Sequence, residues 1–281
     1  MKENRIIEVH KVSKKYWIRG GDQNPHRSLK GSLYQFLTGK SKHLSQKPFW
    51  AIEDISFTLH RGGIVAILGN NGSGKSTLLR IIAQVTEPTY RKVTVYGRLG
   101  ALLEVGTGMH PGLTGIDNIY FCGAVLGMKR ADIRRQLEAI VEFAGIEAFL
   151  YTPLKRHSSG MVMRLANSVL LHLRTDLLIL DEGFSVGDVE FQTRCFEKVK
   201  AISQEGRTIL CVTHHEGWIS SYCERAILLH QGKLIEDGHP VSVLENYHAL
   251  LKKETDHSLH LEDRLHEAIH SEVEPHSVCA K

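Results

Sequence analysis

The sequence is poor in the features that mark several protein classes. Its 281 residues include only 7 prolines and 5 cysteines, and aromatic residues make up 7%. With an apolar share of 42%, this composition excludes a collagen-like chain and a disordered one. The cysteines (Cys122, Cys195, Cys211, Cys223 and Cys279) are odd in number, scattered, and form no C-x-x-C pair. A disulfide framework and a cysteine-based zinc site are therefore not expected, and a reducing cytoplasm fits. No run approaches the ~18–20 apolar residues of a membrane-spanning helix. The longest, such as Leu177–Leu180, are strand-sized. The first residues, Met1-Lys2-Glu3-Asn4-Arg5, lead into a short alternating run and not into the apolar core of a secretory leader. A net charge of +4 gives no argument for nucleic acid as a partner.

What is present is an alternation of strand and helix patterns. Residues 5–12 read as an edge strand, and a strand pattern resumes at Ile52–Leu59. Between them, from Gln23 to Ile52, no acidic residue occurs, while Arg27, Lys30, Lys40, Lys42 and Lys47 are basic. Leu29, Leu33, Phe36 and Leu37 in that stretch have helical spacing. Residues 19–49 are read as a basic insertion, either a solvated surface helix or a surface facing a membrane or an anionic substrate. Ile64–Leu68 is apolar throughout, as a strand buried on both faces of a parallel sheet must be. Residues 76–84 predict a helix, Thr94–Leu103 a strand, Gly115–Leu150 helix, Ser159–Leu173 helix, and about 190–204 another. Leu177–Leu180 and Thr208–Val212 predict short buried strands, and Ala226–Leu229 with Lys233–Glu236 a terminal hairpin. The fold class is α/β with a largely parallel core. Beyond about Leu251 the chain turns polar and rich in His and Glu, which places a boundary there.

Gly69-Asn70-Asn71-Gly72-Ser73-Gly74-Lys75-Ser76-Thr77 matches G-x-x-x-x-G-K-[ST] in full, after a predicted buried strand and before a predicted helix. Glycines let successive N–H groups point inward as an anion nest, and the helix start adds partial positive charge. Lys75 is expected to reach the β- and γ-phosphates of a nucleotide, and the Ser76 hydroxyl to ligate Mg²⁺. Leu177–Leu180 ends in Asp181-Glu182. A buried strand ending this way delivers Asp181 to the sheet mouth as the Mg²⁺ partner, and Glu182 one step further as acceptor of a proton from the attacking water. The guanine-specifying N-K-x-D tetrad of GTPases does not occur.

His157-Ser158-Ser159-Gly160-Met161 opens a predicted helix 23 residues before Asp181. Here the chain resembles the nucleotide-binding subunit of ABC transporters, whose signature is L-S-G-G-Q; Ser158 and Gly160 match it. S-S-G-M resembles the branch that exports cell-surface polysaccharides: O-antigen, teichoic acid and capsule. The segments Gly108-Met109-His110-Pro111-Gly112-Leu113-Thr114-Gly115, Asn118-Ile119-Tyr120, Ser185-Val186-Gly187-Asp188 and Gly206-Arg207-Thr208-Ile209 are similar to the same branch. The resemblance covers roughly residues 5–250.

It implies a P-loop NTPase fold of the ABC type: a mainly parallel core sheet, an antiparallel β subdomain, and a helical subdomain at about 110–175. It implies a nucleotide-binding domain over 1–250 with a tail at 251–281. Tyr16 would stack on adenine; the alternative is a buried β-edge tyrosine. Ser158, Ser159 and Gly160 would contact ATP held by a second subunit, and Asp188 would lie in the loop joining the two sites of a homodimer. His214 would sense the γ-phosphate and orient the water, with His215 adjoining it. The usual glutamine after the third strand is missing; Glu104-Val105 occupies that stretch. The implied activity is ATP hydrolysis with ATP and Mg²⁺, driving a separate integral membrane permease that exports a lipid-linked polysaccharide, at the cytoplasmic face of the inner membrane. A soluble ABC ATPase acting on ribosomes or DNA is the alternative; one phosphate loop and no sustained heptads speak against it.

The tail holds His266-Glu267-Ala268-Ile269-His270, a match to the zinc-protease pattern H-E-x-x-H. In a polar tail of a chain with 17 histidines, no surrounding domain supports a hydrolytic cleft, and a solvated or dimer-packing segment is expected. Because every phosphate-contacting motif lies upstream of Leu251, the tail is expected to be dispensable for hydrolysis.

Overall fold

The run Ile64–Leu68 becomes strand β3, buried at all five positions. The structure, a computed structural model, describes residues 4–19, 46–102, 108–181 and 188–254. Residues 20–45 of the basic insertion, where a helix is expected, Glu104-Val105, Glu182 and the histidine-rich tail lie outside the described residues.

Two long strands, β1 (Arg5–Arg19) and β2 (Gln46–His60), pair antiparallel from Arg5↔His60 to Arg19↔Gln46. A third, β4 (Val93–Val95), pairs with β1 on its other side, through Ile7↔Val95 and Val9↔Val93. The expected edge strand is thus the middle of a three-stranded sheet ordered β2-β1-β4. Its second partner comes from more than eighty residues away, which local pattern cannot report.

The stretch read as one strand over Thr94–Leu103 is two. β4 ends at Val95, and β5 (Leu99–Leu102) joins the other sheet. Gly97 makes the change of direction at φ 118°, where a Cβ would meet that of Asp176 at 2.9 Å. The larger sheet runs β5-β6-β7-β3-β8-β9, where β6 is Leu177–Leu180, β7 Thr208–Val212, β8 Arg225–His230 and β9 Lys233–Gly238. β5, β6, β7, β3 and β8 are parallel, and β9 closes the edge antiparallel to β8.

Helix α1 (Lys75–Ile82) follows β3. The expected helical region from Gly115 to Leu150 is broken into α2 (Gly115–Val125) and α3 (Arg130–Ala144) by Gly127 at φ 83°. Next come α4 (Ser159–Leu171) and α5 (Val189–Gln204). Two helices escape the sequence pattern: α6 (Glu216–Tyr222), too short for a periodicity, and α7, over residues 240–254, which crosses the point where the chain turns polar.

The period-2 geometry of a strand explains the core. Ile64, Ala66 and Leu68 of β3 face one layer with Phe191, Cys195 and Val199 of α5. Val65 and Ile67 face the other, with Leu78 and Leu79 of α1 and with Ile7 and Ile52 of the antiparallel sheet. Each fully buried Leu or Ile here contributes about 1.5–3 kcal/mol. A third cluster, including Ile119, Ile133, Ile140 and Leu165, holds α2, α3 and α4 together as a separate helical unit.

Candidate nucleotide-binding and hydrolysis site

Chain connectivity places the carboxyl ends of β6, β7 and β3 side by side, since Leu180 registers with Cys211 and Cys211 with Ala66. Ligands of open α/β sheets bind at such edges. Asp181, Thr213-His214 and Gly69 leave these three strands in order, although far apart in sequence.

The phosphate loop follows β3. Gly69, Gly72 and Gly74 adopt φ values of 145°, 82° and 104°, a region that glycine alone occupies without strain. At Gly69 a Cβ would lie 2.2 Å from the Leu229 carbonyl oxygen, and at Gly74 2.6 Å from that of Ala51. The loop is therefore wedged between β2 and the β8 end. Gly74 caps α1 without a side chain, and no acid stands in the first turn, so nothing of the helix start opposes an anion. Among the described residues the buried Ser73 hydroxyl has no hydrogen-bond partner. Lys75 is 6% exposed. Its Nζ donates to the carbonyl oxygens of Gly69, at 2.7 Å, and Asn70, at 3.1 Å. Ser76 is exposed, Thr77 half-buried, and Asn71 exposed at the turn.

A glycine outside any motif takes part. The Gln231-Gly232 turn between β8 and β9 donates from the Gly232 N–H to the Ser73 carbonyl at 3.0 Å, and its own carbonyl accepts from the Glu53 N–H at 2.8 Å. Gly232 has φ 76° and would clash as alanine, with its Cβ 2.9 Å from the Ala51 oxygen.

The two adjacent histidines separate cleanly. His215 caps α6, its Nδ1 accepting from the Trp218 N–H at 3.0 Å, and its ring lies 5.4 Å from that of Phe196. His214 is exposed and lines a cavity of about 130 Å³ with Gly69, Lys75 and Thr213. The assignment to His214 rests on spacing along the sequence; the cap gives His215 a local structural role.

Among the described residues no group of three His, Cys, Asp or Glu side chains forms a metal cluster. Among the described residues, the oxygen groups that follow the phosphate-loop lysine and β6 include the Ser76 hydroxyl and the half-buried Asp181 carboxylate. Two hard oxygen donors with the rest of the shell left to phosphate and water is the donor set that suits Mg²⁺.

Tyr16 sits on β1 opposite Phe49, and both rings are exposed, 39% and 46%, so Tyr16 is not a buried strand tyrosine. Lys14 Nζ stands 5.2 Å from its ring centre. Phe49 offers a second aromatic surface that the sequence reading did not single out.

The S-S-G-M segment lies elsewhere. Ser158 caps α4, its Oγ accepting from the Met161 N–H at 3.2 Å, and Ser159 and Gly160 form the first turn. α4 packs chiefly against α2, α3, α5 and β5. Asp188 caps α5, accepting from the Phe191 N–H at 2.9 Å, and is paired with Arg164 of α4. Glu182 and Ser185-Val186-Gly187 lie outside the described residues. The Asn118 motif has a local cause: its buried amide donates to the carbonyls of His110, Leu113 and Thr114 at 2.9–3.1 Å and accepts from the His110 N–H, fixing the 110–114 loop.

Comparison with known proteins agrees with this geometry. The family described as ABC transporter matches residues 52–185. The chain is 42% identical over 251 residues to the ABC transporter protein AbcA of Aeromonas salmonicida, covering 89% of this chain and 78% of that one. It is 39% identical over 204 residues to the O-antigen export system ATP-binding protein RfbB of Klebsiella pneumoniae, covering 73% and 83%. Against the teichoic acids export ATP-binding protein TagH of Bacillus anthracis the identity is 35% over 89% of this chain and 44% of the longer relative. Among solved structures, the ATP-binding cassette MJ0796 in a dimeric post-hydrolysis state with ADP and Pi superposes with a TM-score of 0.65, over 84% of this chain and 99% of that one. At 19% identity that match speaks for the fold.

Proposed function

This chain belongs to the ABC transporter ATP-binding family, and from that premise we propose that it powers export of a lipid-linked cell-surface polysaccharide through a separate membrane permease. The carrying observation is a complete phosphate loop at the same sheet edge as Asp181 and His214, in a chain 39% identical to an O-antigen export ATP-binding protein. Among the described residues no helix is long and apolar enough to cross a membrane. In this reading the permease is a second protein, and the subunit works at the inner face of the membrane. The export names carried by its relatives favour this reading over a ribosomal or DNA role.

The residues divide the work as follows. Inward N–H groups of the loop 69–74 and the start of α1 receive the phosphates. Lys75 redirects its ammonium from the Gly69 and Asn70 carbonyls to the β- and γ-phosphate oxygens. Ser76 and Asp181 would hold a Mg²⁺ ion, which would supply neutralisation of the phosphate charge. Glu182 accepts the proton of the attacking water, and His214 orients that water against the γ-phosphate. Tyr16 stacks on the base. In a head-to-tail homodimer, Ser158, Ser159 and Gly160 of one chain meet the γ-phosphate bound by the other. ATP then closes the dimer, and hydrolysis removes the bridge and lets it open.

Deletion of the gene tests this. Long-chain polysaccharide is expected to vanish from the cell surface while the same glycan, still lipid-linked, accumulates inside. A plasmid copy restores export and its Lys75→Ala variant does not. Normal surface glycan in the deletion strain, with a ribosome or DNA defect in its place, would overturn the reading.

A further inference from the structure

The polar end of the chain was expected to be irrelevant to hydrolysis, yet α7 reaches the phosphate loop. The Glu254 carboxylate accepts a hydrogen bond from the Asn70 side-chain amide. Its other oxygen lies 3.6 Å from Nδ1 of His230, at the end of β8. One and two turns earlier, Leu251 and Tyr247 line the same small cavity as Gly69, Lys75 and His214. Glu216, two residues beyond His214, lines that cavity too, and His248 Nε2 lies 3.1 Å from its carboxylate.

We infer that Glu254 is a positioning residue for ATP binding, acting through Asn70. The Asn70 carbonyl is one of the oxygens that hold the Lys75 ammonium. A side-chain amide tied to α7 fixes the plane of residue 70, and with it the place from which Lys75 is delivered. A carboxylate beside a loop built for phosphate opposes the ligand's charge. Bonding to the neutral amide and facing the His230 ring turns that carboxylate into a tether. α7 thus fastens the phosphate loop at Asn70 and the residues after His214 at Glu216, the two loops that must act on one γ-phosphate. None of these α7 residues lies in a motif.

The inference rests on the loop being an ATP site, so the test reads wild type first. Steady-state hydrolysis of Mg·ATP by the full chain is measured alongside direct titration with a fluorescent ATP analogue. Glu254→Ala is expected to raise KM and the analogue's Kd by about 3- to 10-fold, the loss of one hydrogen bond. Its kcat should stay within about twofold. Glu254→Gln keeps a carbonyl acceptor and is expected to bind like wild type. Asn70→Ala combined with Glu254→Ala should be no weaker than the worse single variant, because both remove one link. Partial unfolding would give the opposite pattern, a lower apparent kcat at unchanged KM. Wild-type KM and Kd in Glu254→Ala, or a Glu254→Gln variant as weak as Glu254→Ala, would overturn the inference. A wild-type protein that neither binds nor hydrolyses ATP would instead strike the ATPase reading itself.

Discussion

Arg164 of α4 donates to the carboxylate of Asp188, the residue that caps α5. The same guanidinium stands 5.5 Å from the centre of the Phe191 ring in the first turn of α5. One aspartate therefore does two jobs inside its own chain, whatever it touches across a dimer. It satisfies a helix start, and it ties the helix opened by the S-S-G-M segment to the one that follows the acidic strand end.

These two jobs can be separated. The pair is partly solvated, with side-chain exposures of 26% and 57%, so its charge is worth at most about 1 kcal/mol. Asp188→Asn keeps a good capping acceptor and should unfold in urea near the wild-type midpoint. Asp188→Ala loses the cap and should cost about 1–2 kcal/mol. Equal stability of Asp188→Ala and wild type would remove the cap from this account.

Gly160 is not needed by its own chain. Among the described residues a Cβ there would meet only the Ser158 Oγ, at 3.8 Å, and the residue lies in a helix, where alanine is favoured over glycine. Gly160→Ala is expected to fold with equal or slightly higher stability while ATP turnover falls at least about 10-fold, because the close approach comes from outside the chain. Unchanged turnover would deny Gly160 a role at a partner's nucleotide.

The proposed division of labour at the acidic strand end makes Glu182 the proton acceptor. Glu182→Gln preserves shape and removes basicity. ATP binding should persist while hydrolysis falls roughly 10²–10⁴-fold, and an ATP-bound dimer should build up on size exclusion. Near-normal turnover would assign the base elsewhere.

Burial depresses the pKa of His172, which hydrogen-bonds the Ser168 carbonyl and sits edge-on to Phe143 at 5.6 Å. The folded state thus favours the neutral ring, while the unfolded chain takes up the proton near pH 6.5. The sign follows: the contribution is complete above about pH 6.5 and is lost as pH falls through the lower folded-state value. His172→Asn, which can still donate to Ser168, should flatten this part of the stability profile between pH 7 and 5. An unchanged slope in denaturant titrations would show that other histidines carry it.

The sequence by itself determined the parts whose cause is local. A phosphate loop needs glycines at fixed places, a lysine and a hydroxyl, and these stand in order along nine residues. A strand buried on both faces must be apolar throughout, which is why Ile64–Leu68, Leu177–Leu180 and Thr208–Val212 were bounded correctly. Tertiary structure alone decided what depends on distant partners. β1 became a central strand because Val93–Val95 arrives from far along the chain, and Thr94–Leu103 split because its halves hydrogen-bond to different sheets. His214 and His215 are adjacent in sequence, and only the fold shows that His215 caps α6 while His214 lines the cavity. Gly232, Phe49 and Glu254 carry no motif; they matter because the fold sets them against Ser73, Tyr16 and Asn70. Spacing encodes contacts within a turn or a strand, whereas contacts made between elements exist only once the hydrophobic layers have fixed how those elements pack.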